Sequence, residues 1–184
     1  MATVSAEAGL SQGIINLHFH SKERLLVETL RYIADEYRNT WKKALAGAGD
    51  SPARQLAALV MIDFRLPVCD RNKLAVWFAF WGESKSRPTY RQICAERDRA
   101  YRKELVQVCQ ALIDAGGYAG LDADSVAAGL SAMTSGLWLD MLTNPRSMSR
   151  QDGRQICMHF LATTFPRHFT PGGVIETTRE SRKP

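Results

Sequence analysis

Residues Ala8-Gly9-Leu10-Ser11-Gln12-Gly13-Ile14-Ile15-Asn16-Leu17-His18-Phe19 decide how this chain is read. Gly9 suits the positive-φ position of a tight turn between helices, because it has no Cβ to clash. Ser11 suits the N-cap of the helix that follows, its hydroxyl accepting from the free N–H of Gly13 or Ile14. Ile14, Ile15 and Phe19 can pin that helix to a small core, which leaves Gln12, Asn16 and His18 pointing outward. Two readings fit these features. One is the turn and second helix of a helix-turn-helix, whose second helix enters the major groove. The other is a capped amphipathic helix after a glycine turn.

Working outward, residues 3–8 read as the end of a preceding helix. His20-Ser21 breaks the chain after Phe19, Ser21 caps a new helix, and Glu23 in its first turn complements the helix dipole. Leu26, Leu30, Ile33, Tyr37, Trp41 and Ala44 then recur at helical spacing to about Leu45. Gly47-Ala48-Gly49-Asp50 is a linker. Ser51-Pro52 is a cap followed by proline at the first helical position, and opens a helix holding Leu56, Leu59, Val60, Ile62 and Phe64, with Asp63 among them and Pro67 as its limit. The segment from Leu74 to Trp81 is apolar on every side, which predicts a buried or cavity-lining helix. Tyr90, Cys94, Arg97, Tyr101, Leu105, Val108 and Leu112 mark one face of a long helix ended by Gly116-Gly117. Asp122 caps another, with Val126, Leu130, Met133, Leu137 and Met141 on one face and Asn144-Pro145 as its stop. Ser149-x-x-Asp152 is a capping box for a last helix ending near Phe165. Strand signals are almost absent, so the fold class is all-α. The chain divides into residues 1–45, residues 46–169, and a polar, broken tail over residues 170–184 expected to be disordered.

Composition is that of a globular protein able to bury a sizeable core, with 184 residues, 45% hydrophobic and 23% charged. The net charge of +5 permits an anionic partner without requiring one. Residues 1–50 are balanced, with six basic and six acidic side chains, while residues 51–120 carry eleven basic against seven acidic. Cys69, Cys94, Cys109 and Cys157 are scattered, as reduced thiols packed as small apolar groups would be. The four histidines show no zinc-ligand spacing with them, so neither metal nor cofactor is expected. No signal peptide opens the chain and no apolar run reaches the roughly 20 residues that span a membrane. No nucleophile–base pair, paired carboxylates or cofactor loop marks an enzyme.

The run from Ala8 through Phe19, followed by Ser21-Lys22-Glu23 and Leu25, resembles the signature of TetR-type bacterial repressors, and the later helices resemble that family's ligand-binding and dimerisation domain. Gly13-Ile14-Ile15, Val76-Trp77-Phe78-Ala79-Phe80-Trp81 and Gly136-Leu137-Trp138-Leu139 resemble its BetI branch, the choline-responsive repressors of glycine betaine synthesis. The resemblance implies a cytoplasmic, nucleoid-associated repressor of double-stranded operator DNA. It would be released by a small-molecule effector and would dimerise through the helices at residues 122–143 and 149–165. Ser11, Gln12, Gly13 and Asn16 would approach bases or phosphates, His18 the backbone, and Lys22 a phosphate, with Gln12 the candidate for reading adenine. Leu17 stands where many relatives carry a backbone-touching histidine. The family also has a helix ahead of residue 3, packed under the recognition helix. A chain starting inside the second helix is expected to leave Val4, Ile14, Ile15 and Phe19 with less cover. The second reading is therefore a ligand-binding dimer without competent DNA binding.

An aromatic group sits where such repressors hold effectors. Trp77 and Trp81 are one turn apart, Phe78 and Phe80 flank them, and Tyr101 and Trp138 come from other helices. Aromatic faces hold a quaternary ammonium by cation–π attraction, about 0.5–2 kcal/mol each, and Glu83 or Asp63 would supply the counter-charge. Most such stripes are simply core. Ser135 stands just before Gly136-Leu137-Trp138, where the branch often has an acidic residue.

Overall fold

The computed structural model describes residues 2–176. Among them, helices follow in chain order as α1 (Ala2–Glu7), α2 (Gln12–Phe19), α3 (Lys22–Gly47), α4 (Pro52–Ile62), α5 (Arg71–Glu83), α6 (Pro88–Gly116), α7 (Ala123–Thr143) and α8 (Arg150–Thr164). Their starts follow from side-chain caps. The Ser11, Ser21 and Ser51 hydroxyls accept from the N–H groups of Ile14, Arg24 and Arg54, and Asp122 accepts from that of Ser125. Ser149 and Asp152 form the reciprocal capping box, satisfying donors that a helix start otherwise leaves free. Gly9 takes φ +64 in the turn before α2, the conformation a side chain would strain.

The main core lies where α4, α6, α7 and α8 meet, around Leu56, Leu59, Leu105, Cys109, Leu112, Leu130, Cys157 and Leu161. All four cysteines are buried and unpaired, as expected of small apolar groups. A second cluster joins Leu30, Ile33 and Ala34 of α3 to Trp77 and Phe80 of α5 and to Tyr90 and Cys94 of α6. The 26-residue α3 belongs to both: its first half packs in the second cluster, while Tyr37 and Trp41 enter the main one. α5 is not buried all round, because Ala75 and Ala79 face solvent.

The DNA-like end is held lightly. Of α2 only Ile15 is fully buried, worth about 1.5–3 kcal/mol, and an eight-residue helix is marginal without tertiary support. Ile14, expected to help pin it, is 43% exposed and Val4 45% exposed, while Phe19 is half-buried.

The structure also corrects the expected tail. Phe169–Thr170 (β1) pairs antiparallel with Gly173–Val174 (β2), and the hairpin docks on α8 and α4. Its anchor is the buried Phe169, whose ring lies 6.4 Å from that of Phe165. The Pro171-Gly172 pair is thus the bend of an ordered hairpin, not the start of disorder. The remainder of that stretch, residues 177–184, lies outside the described residues.

Candidate functional site

A cavity of about 340 Å³ opens among α3, α4, α5, α6 and α7, a size suited to a small organic ligand. Tyr37 reaches it from α3, Asp63 from the end of α4, and Trp81 from α5. α6 contributes Arg97, Asp98, Tyr101 and Arg102, and α7 contributes Ser131, Thr134, Ser135 and Trp138 among others. These positions follow from helical periodicity. Arg97 and Tyr101 are one turn apart on α6, and Thr134 and Trp138 one turn apart on α7, so each pair shares a face.

Asp63 anchors the floor. It is 2% exposed. Its Oδ1 accepts a 2.8 Å hydrogen bond from the Tyr37 hydroxyl. The Tyr101 hydroxyl lies 3.4 Å from Oδ2 and 3.0 Å from the Leu59 carbonyl. Trp138 Nε1 donates to the Asp63 backbone carbonyl at 2.7 Å. Burial pushes the Asp63 carboxyl up to about 7, against the pull of the Tyr37 hydrogen bond, the Arg97 charge and the Tyr101 hydrogen bond. Burial and the facing Asp63 charge hold both tyrosine hydroxyls well above their ordinary range, so they remain protonated donors.

Arg97 occupies the aromatic cage. Its guanidinium carbon lies 4.2 Å from the centre of the Tyr37 ring, 4.4 Å from Trp77, 5.7 Å from Trp81 and 5.8 Å from Trp138. Its side chain is 7% exposed. Nη1 pairs with Asp98 at 2.7 Å, while Nε is buried without a hydrogen-bond partner.

Of the ligand-site residues expected from sequence, Asp63, Trp81, Tyr101 and Trp138 come together on this cavity. Trp77 is 2% exposed and lies behind Arg97, off the wall. Phe80 points elsewhere, into the second cluster, where its ring meets Tyr90 edge-on at 4.8 Å. Glu83 is not a counter-charge for this cavity: it is exposed at the end of α5 and pairs with Arg87 at 2.5 Å. The cause is register, since residues 80 and 83 fall on other faces of the helix that presents Trp81 inward. Tyr37 and Arg97 were not assigned to the site from sequence. Both were nonetheless on the apolar faces of their helices, and a charged residue on such a face was the available signal.

At the other end, Ser11, Gln12, Gly13, Asn16, Leu17, His18 and Lys22 are all exposed. They form the open side of α2 and the start of α3, opposite the buried Ile15. Leu17 is 72% exposed. Ser11 is occupied as the cap of α2. Among the described residues, no group of three or more His, Cys, Asp or Glu could hold a metal, and no helix is long and apolar enough to cross a membrane.

Comparisons with known proteins agree on the kind of molecule. A family model described as a BetI-type transcriptional repressor, C-terminal, matches residues 52–166. The HTH-type transcriptional regulator BetI of Stenotrophomonas maltophilia (strain R551-3) is 32% identical over 139 residues, covering 76% of this chain and 68% of its own. A transcriptional regulator from Pseudomonas aeruginosa PAO1 superposes with TM-score 0.75 and 31% identity, over 87% of this chain and 77% of its own. A transcriptional regulator from Saccharomonospora viridis, crystallised in complex with choline, superposes with TM-score 0.74 and 27% identity, over 86% of this chain and 82% of its own.

Proposed function

Because this chain belongs to the TetR family of transcriptional repressors, in its BetI-type branch, we propose that it binds operator DNA as a homodimer and is released by choline or a related betaine-pathway compound entering the cavity between α3 and α7. The observation that carries this reading is the cavity itself, with the aromatic faces of Trp81, Tyr101 and Trp138 beside the carboxyl of Asp63. Such walls suit an organic ammonium group. The choline-bound Saccharomonospora viridis regulator supports the ligand class.

Ser11, Gln12, Gly13, Asn16, Leu17, His18 and Lys22 form the proposed DNA surface. Lys22 and the α2 N-terminus meet phosphates, and Gln12 reads a base edge. Dimerisation is proposed through α7 and α8, where Gly129, Ala132, Gly136 and Leu139 recur along the open side of α7 and Ile156 is exposed on α8. Small residues at this spacing allow two helices to approach closely, and a two-fold axis would set two α2 helices about one DNA turn apart.

Coupling runs through α3. It begins directly after α2, and its Tyr37 is hydrogen-bonded to the cavity floor at Asp63. A ligand that shifts this contact biases α3 between two settings, and the linkage is reciprocal.

The test is a titration of DNA selected by the protein from a random duplex pool, with and without choline, betaine aldehyde and glycine betaine. Weaker DNA binding with one of them supports the reading. Equal affinity in every condition overturns ligand release.

A further inference from the structure

We infer that Arg97 is the specificity-determining residue of the cavity, and that the ligand it selects carries a carboxylate beside its ammonium group instead of being a bare cation. This rests on the reading of the cavity as the effector site.

The cage already contains a cation. The Arg97 guanidinium lies between the rings of Tyr37 and Trp77, at 4.2 and 4.4 Å, and within 6 Å of Trp81 and Trp138. A bare ammonium ion entering there meets a fixed like charge where water is scarce, and repulsion is strongest in such surroundings. It must either displace the guanidinium from its aromatic faces or stay away from them.

The guanidinium is also short of an acceptor. Nη1 is committed to Asp98, while Nε is buried with no partner. A buried N–H cut off from water costs free energy until something accepts from it. A ligand carboxylate supplies that acceptor, and the planar guanidinium fork matches its two oxygens.

The wall charges fit a ligand with two poles. Arg97, Asp98 and Arg102 line the cavity from α6, and Asp63 lines it from the end of α4. A zwitterion can set its carboxylate toward Arg97, offsetting that charge, and its ammonium toward Asp63. An alcohol such as choline offers Arg97 no charge in return.

Calorimetric titration of the full chain with trimethylglycine and with choline tests this, on the wild type, Arg97→Lys and Arg97→Met. The wild type is expected to bind trimethylglycine at least tenfold more tightly than choline. Arg97→Lys keeps that order. Arg97→Met, which retains bulk without charge, is expected to lose at least tenfold toward trimethylglycine and to gain affinity for choline. Preference for choline in the wild type overturns the proposal, as does an unchanged ratio in Arg97→Met. If Arg97→Met does not fold, the wild-type ratio decides. Failure of the wild type to bind either ligand removes the effector-site reading, and this inference with it.

Discussion

The Tyr37 hydroxyl donates to Asp63 Oδ1 across 2.8 Å, joining the middle of α3 to the end of α4 inside the cavity. Both groups are buried, so the bond has little competition from bulk water. Tyr37→Phe leaves the Asp63 carboxyl without its best donor. The expected loss is about 1–3 kcal/mol of unfolding free energy, read by urea denaturation. It should be larger at pH 8 than at pH 5.5, because the ionised carboxylate depends more on that donor.

Asp63 predicts a pH dependence of stability opposite to that of an ordinary paired carboxylate. Its folded pKa of about 7 stands above the unfolded 3.8, so between those values the folded state binds more protons than the unfolded state. Stability is then complete below pH 4 and declines toward pH 7 by about 1.4 kcal/mol per pH unit at most. Asp63→Asn should flatten this slope. Denaturant midpoints measured from pH 4.5 to 8 check it, and a wild type that gains stability over that range would contradict the assignment.

The two tryptophans of α5 should separate binding from folding. Trp81 is half-buried and lines the cavity. Trp81→Ala is expected to weaken effector response by about 0.5–2 kcal/mol, a single cation–π contact, with DNA affinity unchanged. Trp77 is buried behind Arg97, so Trp77→Ala should cost about 3–5 kcal/mol of stability. Comparing melting curves with ligand titrations of the two variants distinguishes the roles.

Gly153 is a close approach of α8 to the core. A Cβ there would lie 2.6 Å from Met141 Cε and 2.6 Å from Phe64 Cε1. The methionine end can move, but the buried Phe64 ring cannot move freely. Gly153→Ala gains about 1 kcal/mol of helix propensity against about 1–3 kcal/mol of overpacking. A lowered melting temperature is expected.

At the proposed DNA surface, Lys22→Ala should weaken binding to all duplexes alike and reduce the salt slope of log K by about one. Gln12→Ala should cost about 1–3 kcal/mol at the preferred site and relax base preference at one position. Fluorescence anisotropy over a salt series separates the two effects.

Much of this was legible in the residues. The caps at Ser11, Ser21, Ser51, Asp122 and Ser149 stand at helix starts because each offers an oxygen to a free N–H three residues on, a local property. Asp63 was conspicuous as a lone carboxyl in an apolar run. Arg97 was read on the inner face of its helix with Tyr90, Cys94 and Tyr101, but not as part of the ligand site. Only the positions of Tyr37, Trp77 and Trp138 on three other helices make the cage that receives it. Glu83 falls off the cavity by register, on another face of α5 from Trp81, where it pairs with Arg87 one turn on. The terminal hairpin depends on Phe169 finding a place beside Phe165, which no local pattern announces.

α3 has a mechanical consequence. Fifteen residues separate Lys22 from Tyr37, about 22 Å of helix at 1.5 Å per residue. Pivoted where Tyr37 meets Asp63, as the proposed coupling requires, it would act as a lever arm. A tilt of about 5° at the cavity would sweep Lys22 and the adjoining α2 through about 2 Å. A hydrogen bond is lost over about that distance, so under the proposed coupling a small tilt, shared with the cluster around Leu30, would suffice to misregister a helix on DNA.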